Sequence, residues 1–257
     1  MKKPNSKPFR FAEHHVTRTS DIVYQKKLET YFKSSFGTLY EKLHNFPKYV
    51  ATKEIRKFLY RYEIFKQVLE VHGSIIEAGV LYGGGLLTWA HLSEIFEPVH
   101  HLRQIIGFDT FKGFPSISKE DNSTISPNVR RGGYCVEAYE DLKECIDVFQ
   151  SNTFLSHIPR IQIIKGPVAE TVPKYLKDNP HLVVSLLHLD MDLYEPTKVM
   201  LKHLVPRIPK GGIIAFDELN QDAWQGETIA VMEEIGIRSL RLRRCAFGTT
   251  LSYAVIE

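Results

Sequence analysis

The chain has 257 residues, 43% hydrophobic and 25% charged, and its 33 basic and 30 acidic side chains leave a formal charge of +3. That length fits one large α/β unit with an appendage, and so small and evenly spread a charge excludes an electrostatic surface for nucleic acid. The apolar runs are strand-length, and no apolar signal core follows the opening Met1-Lys2-Lys3-Pro4-Asn5. Cys135, Cys145 and Cys245 match no disulfide or zinc spacing. A cytoplasmic protein with reduced thiols, no membrane association and a small-molecule substrate is therefore expected.

Residues 1–20 are polar and mixed in charge and read as a loosely held segment without a motif. From 22 to 71 the pattern is helical, with Ile55, Phe58, Leu59, Tyr62, Phe65 and Leu69 at three- and four-residue spacing. This stripe predicts a helical cap held by packing. The division expected is thus 1–71 for the N-terminal segment and cap, and 72–257 for the core. Within the core, short apolar strands at 74–78, 104–108, 161–164, 183–189 and 212–216 alternate with helices, which predicts βαβ units and a mostly parallel sheet. The connection 112–160 is long, with a helix near 136–149 and a polar loop near 121–133, and reads as a substrate lid. Segments 239–244 and 249–256 read as a hairpin closing the sheet edge antiparallel. The alternating Arg238, Arg241, Arg243 and Arg244 are taken as its solvated face.

All but the third of the five strands run into a glycine or a carboxylate, where ligands bind in open α/β sheets. The first leads through Glu77 and Ala78 into Gly79, Gly83, Gly84 and Gly85. This is not the Gly-x-Gly-x-x-Gly dinucleotide spacing. An acid before the first glycine suits a ligand with an ammonium and a carboxylate better than a nicotinamide dinucleotide, although a structural turn remains the plain alternative. The second strand ends in Asp109, placed to accept ribose hydroxyls or else to cap its own loop. The last two end in Leu189-Asp190-Met191-Asp192 and Phe216-Asp217-Glu218. If these strands are neighbours, Asp190, Asp217 and Glu218 converge, and oxygen-only carboxylates in one place call for Mg²⁺, Mn²⁺ or Ca²⁺, with helix caps and loop acids as the alternative. A cation there would bind two adjacent hydroxyls and acidify one, with Asp192 taking the proton. His188, inside an apolar strand, reads as a core residue.

The ordered blocks Glu-Ala-Gly-Val-x-x-Gly-Gly-Gly, Gly-Phe-Asp-Thr-Phe-x-Gly-Phe-Pro, Leu-Asp-x-Asp-Leu-Tyr-x-Pro-Thr, Pro-Lys-Gly-Gly and Phe-Asp-Glu-Leu, with Gly226-Glu227-Thr228, span roughly 52–234. Together they resemble the macrocin O-methyltransferase family, and most of all its deoxyhexose 3-O-methyltransferases. The resemblance implies a Rossmann-like, seven-stranded, mostly parallel sheet with helices on both faces, S-adenosylmethionine as cofactor, and Mg²⁺-dependent O-methylation of a sugar hydroxyl. It implies that Glu77, Ala78, Gly79, Gly83, Gly84, Asp109 and Asp190 serve the cofactor, that Asp190, Asp217 and Glu218 hold the metal, and that Asp192 is the base. Where relatives carry Asp-Asp, this chain has Asp217-Glu218. A homodimer is a further family-level expectation. Methylation of a catechol-like or other vicinal diol, and a non-catalytic cofactor-binding module, stay open as alternatives, whereas a nicotinamide oxidoreductase fits the glycine spacing poorly.

Overall fold

The computed structural model describes residues 11, 13, 15–245 and 250–257. Three helices precede the sheet: α1 (Thr19–Ser34), α2 (Leu39–His44) and α3 (Thr52–Val68). The core then alternates β1 (Ser74–Ala78), α4 (Gly84–Phe96), β2 (Ile105–Asp109), α5 (Tyr139–Gln150), β3 (Ile161–Lys165), α6 (Val168–Asp178), β4 (Val184–Leu189), α7 (Tyr194–Leu204), β5 (Ile213–Phe216) and α8 (Gln225–Glu234). It ends in β6 (Arg243–Arg244) and β7 (Ser252–Val255). The seven strands lie in the order β3-β2-β1-β4-β5-β7-β6, with β1 to β5 parallel and β7 antiparallel to β5. This is the mostly parallel α/β sheet expected from the sequence.

Two apolar layers explain the wrapping. Successive strand residues face opposite sides, so Ile75, Ile105, Leu186 and Ile213 pack with α3, α4 and α5. Ile76, Ile106, Leu187 and Ile214 pack with α6, α7 and α8. Strands covered on both faces must be apolar throughout, and β1, β4 and β5 are buried at every position. The buried Arg103 clamps this frame at its amino end. It pairs with Glu97 at 2.6 Å and donates to the carbonyls of Gly73, Val68 and Val71.

Four expectations need correction. The buried face of α3 is Tyr60, Arg61, Ile64, Phe65 and Val68, while Phe58 and Leu59 of the expected stripe are 42% and 44% exposed. The rotated face buries Arg61, whose guanidinium lies 5.7 Å from the Trp89 ring centre. Only α3 caps the sheet, since α1 and α2 bury no side chain. The second half of the stretch expected to be a lid is α5, whose Leu142 belongs to the core, which leaves 112–138 as the part without a core helix. The hairpin survives as an antiparallel edge, but 237–239 forms a 3₁₀ turn and β6 is two exposed residues. Part of its turn, 246–249, lies outside the described residues, as does most of the segment 1–20. Among the described residues all three cysteines are free thiols, and no helix is long and apolar enough to cross a membrane.

Candidate active site

The strand order reverses between β1 and β4, which opens a crevice at the carboxyl ends of the sheet. A cavity of about 820 Å³ occupies it, lined by the β1–α4 turn, the ends of β2, β4 and β5, the lid and one face of α3. The turn is shaped by close approach. Gly79 sits at φ +89, and a Cβ there would overlap the Asp190 carbonyl. Gly83, at φ +87, is the N-cap of α4 and abuts Leu142. Asp109 clasps the turn from the neighbouring strand, accepting the Val80 and Leu81 N–H groups at 2.8 Å each and that of Phe111 at 2.7 Å. Its carboxylate is thereby fixed at the cavity wall.

Glu77 is held from two sides at the end of β1. The Trp89 indole donates to it at 2.6 Å, and the His188 ring nitrogen lies 3.3 Å away. His188 is fully buried and packs edge-on against Trp89, consistent with a core role. Gly85 is needed beside this group, because a Cβ there would collide with the Glu77 carboxylate.

The acids after β4 and β5 converge as the parallel pairing requires, since Leu189 and Phe216 are register partners. One carboxylate oxygen each from Asp190, Asp217 and Glu218 lie within 4.8 Å of one another. None of the ion pairs among the described residues involves these three, and Glu218 Oε2 is buried without a hydrogen-bond partner. The loss of water, and then the Asp217 charge, push Asp190 up to about 7. Burial, followed by Asp217, likewise raises Glu218 well above the usual carboxylate range. Asp192 is raised by burial and by Asp190. It stands at φ +64 inside a tight turn closed by a Leu193 N–H to Met191 carbonyl bond of 2.7 Å. An all-oxygen set with an unpartnered buried carboxylate fits a hard divalent cation. Glu227, fully buried, accepts the Glu218 N–H at 3.0 Å, and Thr228 accepts that of Asn220 at 2.9 Å. The Gly226-Glu227-Thr228 motif therefore pins the loop that presents two of the acids.

Residues of the expected lid, 112–138, form the far wall. Phe114 and Tyr134 pack on Trp224, and Asp121 accepts the Tyr194 N–H at 2.7 Å, fastening the lid to the start of α7. Glu13 Oε1 accepts hydrogen bonds from Ser126 at 2.8 Å, Asn128 at 2.6 Å and Tyr134 at 2.8 Å. The segment expected to be loose thus latches the lid at this residue. Glu13→Ala is expected to raise the KM for the acceptor several-fold while leaving cofactor affinity unchanged. Steady-state kinetics beside calorimetry would show it, and an unchanged acceptor KM would refute the latch.

Of the residues expected to serve the cofactor, Glu77, Gly79, Gly84, Asp109 and Asp190 line the cavity. Ala78 and Gly83 do not: Ala78 is fully buried in the apolar layer, and Gly83 shapes the helix start. Asp192, Asp217 and Glu218 also line it. Sequence reasoning missed Arg61, Tyr134 and Glu13. The available signal for Arg61 was a basic residue interrupting the apolar stripe of α3.

The family model described as Macrocin-O-methyltransferase (TylF) matches residues 56–234. The crystal structure of CalS11, a calicheamicin methyltransferase, is 32% identical with a TM-score of 0.89, covering 99% of this chain and 98% of that one. Its apo form, titled a TDP-rhamnose 3'-O-methyltransferase, is 33% identical with a TM-score of 0.80, covering 93% and 95%. A tetracenomycin 4'-O-methyltransferase acting on a dimethoxy-rhamnosyl compound, from Streptomyces olivaceus, is 24% identical over 153 residues, 60% of this chain. The match spans 55% of that relative's own length. The O-methyltransferase NovP, 17% identical with a TM-score of 0.61 over 79% and 80% of the chains, shares the fold. The chain belongs to the macrocin O-methyltransferase family of S-adenosylmethionine-dependent O-methyltransferases.

Proposed function

We propose that this protein methylates a hydroxyl of a deoxysugar, carried on a nucleotide or within a natural-product glycoside, with S-adenosylmethionine as donor and a divalent cation held by Asp190, Asp217 and Glu218. The observation that carries this reading is the meeting of those three carboxylates in the same cavity as the glycine turn, with no ion pair to balance them among the described residues. Bound there, Mg²⁺ or Mn²⁺ supplies the Lewis acidity that makes a sugar hydroxyl a better nucleophile at neutral pH.

This chain's own residues do the rest. Glu77 and the turn from Gly79 to Gly85 position the amino-acid end of the cofactor, and Asp109 its ribose. Asp192 takes the hydroxyl proton as the oxygen is methylated and S-adenosylhomocysteine is left behind. The lid, through Phe114 and Tyr134, excludes water from the acceptor side. Purified protein incubated with S-adenosylmethionine, Mg²⁺ and a panel of nucleotide deoxysugars and simple vicinal diols tests the reading by mass spectrometry. A mass gain of one methyl on a sugar, abolished by chelator, is expected. Turnover undiminished by chelation would remove the metal from the proposal, and methylation of diols alone would replace the acceptor.

A homodimer is part of the same reading. Phe36, Leu39, Tyr40 and Leu43 of the α1–α2 arm are more than half exposed, an apolar surface suited to a second copy. Sedimentation equilibrium is expected to give twice the chain mass, and a monomer at micromolar concentration would overturn it.

A further inference from the structure

Three arginines are buried among the described residues, and they are used differently. Arg103 and Arg160 each have a carboxylate partner, Glu97 and Glu94, and donate to carbonyl oxygens besides. Arg61, 6% exposed, has no ion pair among the described residues. Its Nη1 donates to the Tyr60 hydroxyl at 3.0 Å and, at 3.5 Å, to the Lys57 carbonyl, while its Nε has no hydrogen-bond partner. The guanidinium lies 5.1 Å from the Tyr60 ring centre and 5.7 Å from that of Trp89, the residue that holds Glu77. It faces the cavity beside Glu77 and the glycine turn. A desolvated cation with an unused donor is costly, and cavity-facing arginines of this kind serve bidentate recognition of a carboxylate or phosphate.

We propose that Arg61 binds the α-carboxylate of the cofactor's amino-acid moiety, opposite the ammonium that Glu77 attracts. This assignment rests on the S-adenosylmethionine reading above. It gives α3 a part in cofactor binding as well as in covering the sheet. Placement decides between the two anions the reaction offers. Arg61 lies 5.7 Å from the ring of Trp89, whose indole donates to Glu77, so it sits on the Glu77 side of the cavity, where the amino-acid end of the cofactor is read to lie.

Calorimetric titration tests this without turnover. Wild-type protein and Arg61→Gln are each titrated with S-adenosylhomocysteine and with 5'-methylthioadenosine, which keeps the nucleoside and lacks the amino-acid moiety. The variant is expected to lose about 10- to 100-fold in affinity for the first ligand and almost none for the second. Equal losses for both would make Arg61 a structural residue, and no loss for either would overturn the assignment. A ligand-side arm needs no variant: wild type is expected to bind decarboxylated S-adenosylmethionine at least 10-fold more weakly than S-adenosylmethionine. Equal affinity for the two overturns the proposal even if Arg61→Gln does not fold. Wild-type protein that binds none of these ligands would instead bring down the cofactor reading, and this assignment with it.

Discussion

Asp217→Asn is expected to stabilise the metal-free protein and to cut its activity severely. Asp217 is the second cause, after burial, that holds Asp190 near 7 against an ordinary value of 3.8. The sign follows from linkage. A carboxylate whose folded value lies above its unfolded one leaves the folded state with more bound protons between those values, so stability falls as pH rises. The favourable contribution is complete below about pH 4 and is lost as pH climbs through about 7. Removing Asp217 relaxes Asp190 downward, and each unit of relaxation is worth about 1.4 kcal/mol at pH 8. For a chain of this size that corresponds to a rise in melting temperature of roughly 2–4 °C per kcal/mol. Mg²⁺ should reverse the ranking. At 100 times its dissociation constant it stabilises wild type by about 2.7 kcal/mol, and it should leave the variant nearly unchanged. Thermal melts at pH 5 and pH 8, with and without Mg²⁺, provide the check. A variant less stable than wild type without metal at pH 8 would refute the charge-cluster account, and one still melting higher with Mg²⁺ would refute the ligand assignment. Turnover in the variant should fall by about 10²- to 10³-fold, the usual scale for losing a positioned electrostatic group.

The second large effect is expected at Asp192. Asparagine tolerates a left-handed backbone well, so Asp192→Asn preserves the turn at φ +64 and removes only the basic oxygen. Loss of a general base costs about 10²- to 10⁴-fold in kcat, while S-adenosylhomocysteine and Mg²⁺ should bind as in wild type. The pH profile separates a base from a merely structural acid. Hydroxide replaces the missing group, so the variant's rate should keep rising with pH where the wild-type rate levels off. A loss of less than about threefold, against the 10²-fold floor expected for a base, would remove Asp192 from the chemistry.

Much of the site was legible because parallel strands bring their carboxyl ends together. A glycine turn or an acid closing an apolar run is thereby placed without tertiary information, as with Gly79, Asp109, Asp190 and Asp217. The fold class followed from the same alternation of strands and helices. What the sequence hid depends on contacts it cannot display. Arg61 sat beside an apolar stripe whose strongest periodicity pointed to Phe58 and Leu59, whereas packing on the sheet turns Tyr60, Arg61, Ile64, Phe65 and Val68 inward. Ala78 belongs to the glycine block by position, yet its side chain is buried in the apolar layer and does not line the cavity. Glu227 looked like one residue of a motif, and its bond to the Glu218 backbone is a property of the folded loop.

The Glu13 latch bears on the order in which the site is assembled. Its partners lie 113, 115 and 121 residues further along the chain. A contact so distant in sequence carries a large loop-closure cost and forms after the local units it joins. The sheet with its glycine turn can therefore be complete while the acceptor wall is still open. The same three bonds converge on one carboxylate, 15% exposed, at a single residue, so the contact can be released without disturbing the sheet. A lid fastened in this way opens by local release, with the cofactor half left folded. Hydrogen exchange should accordingly be faster across 112–138 than across β1 and β4, and slower there once an acceptor is bound.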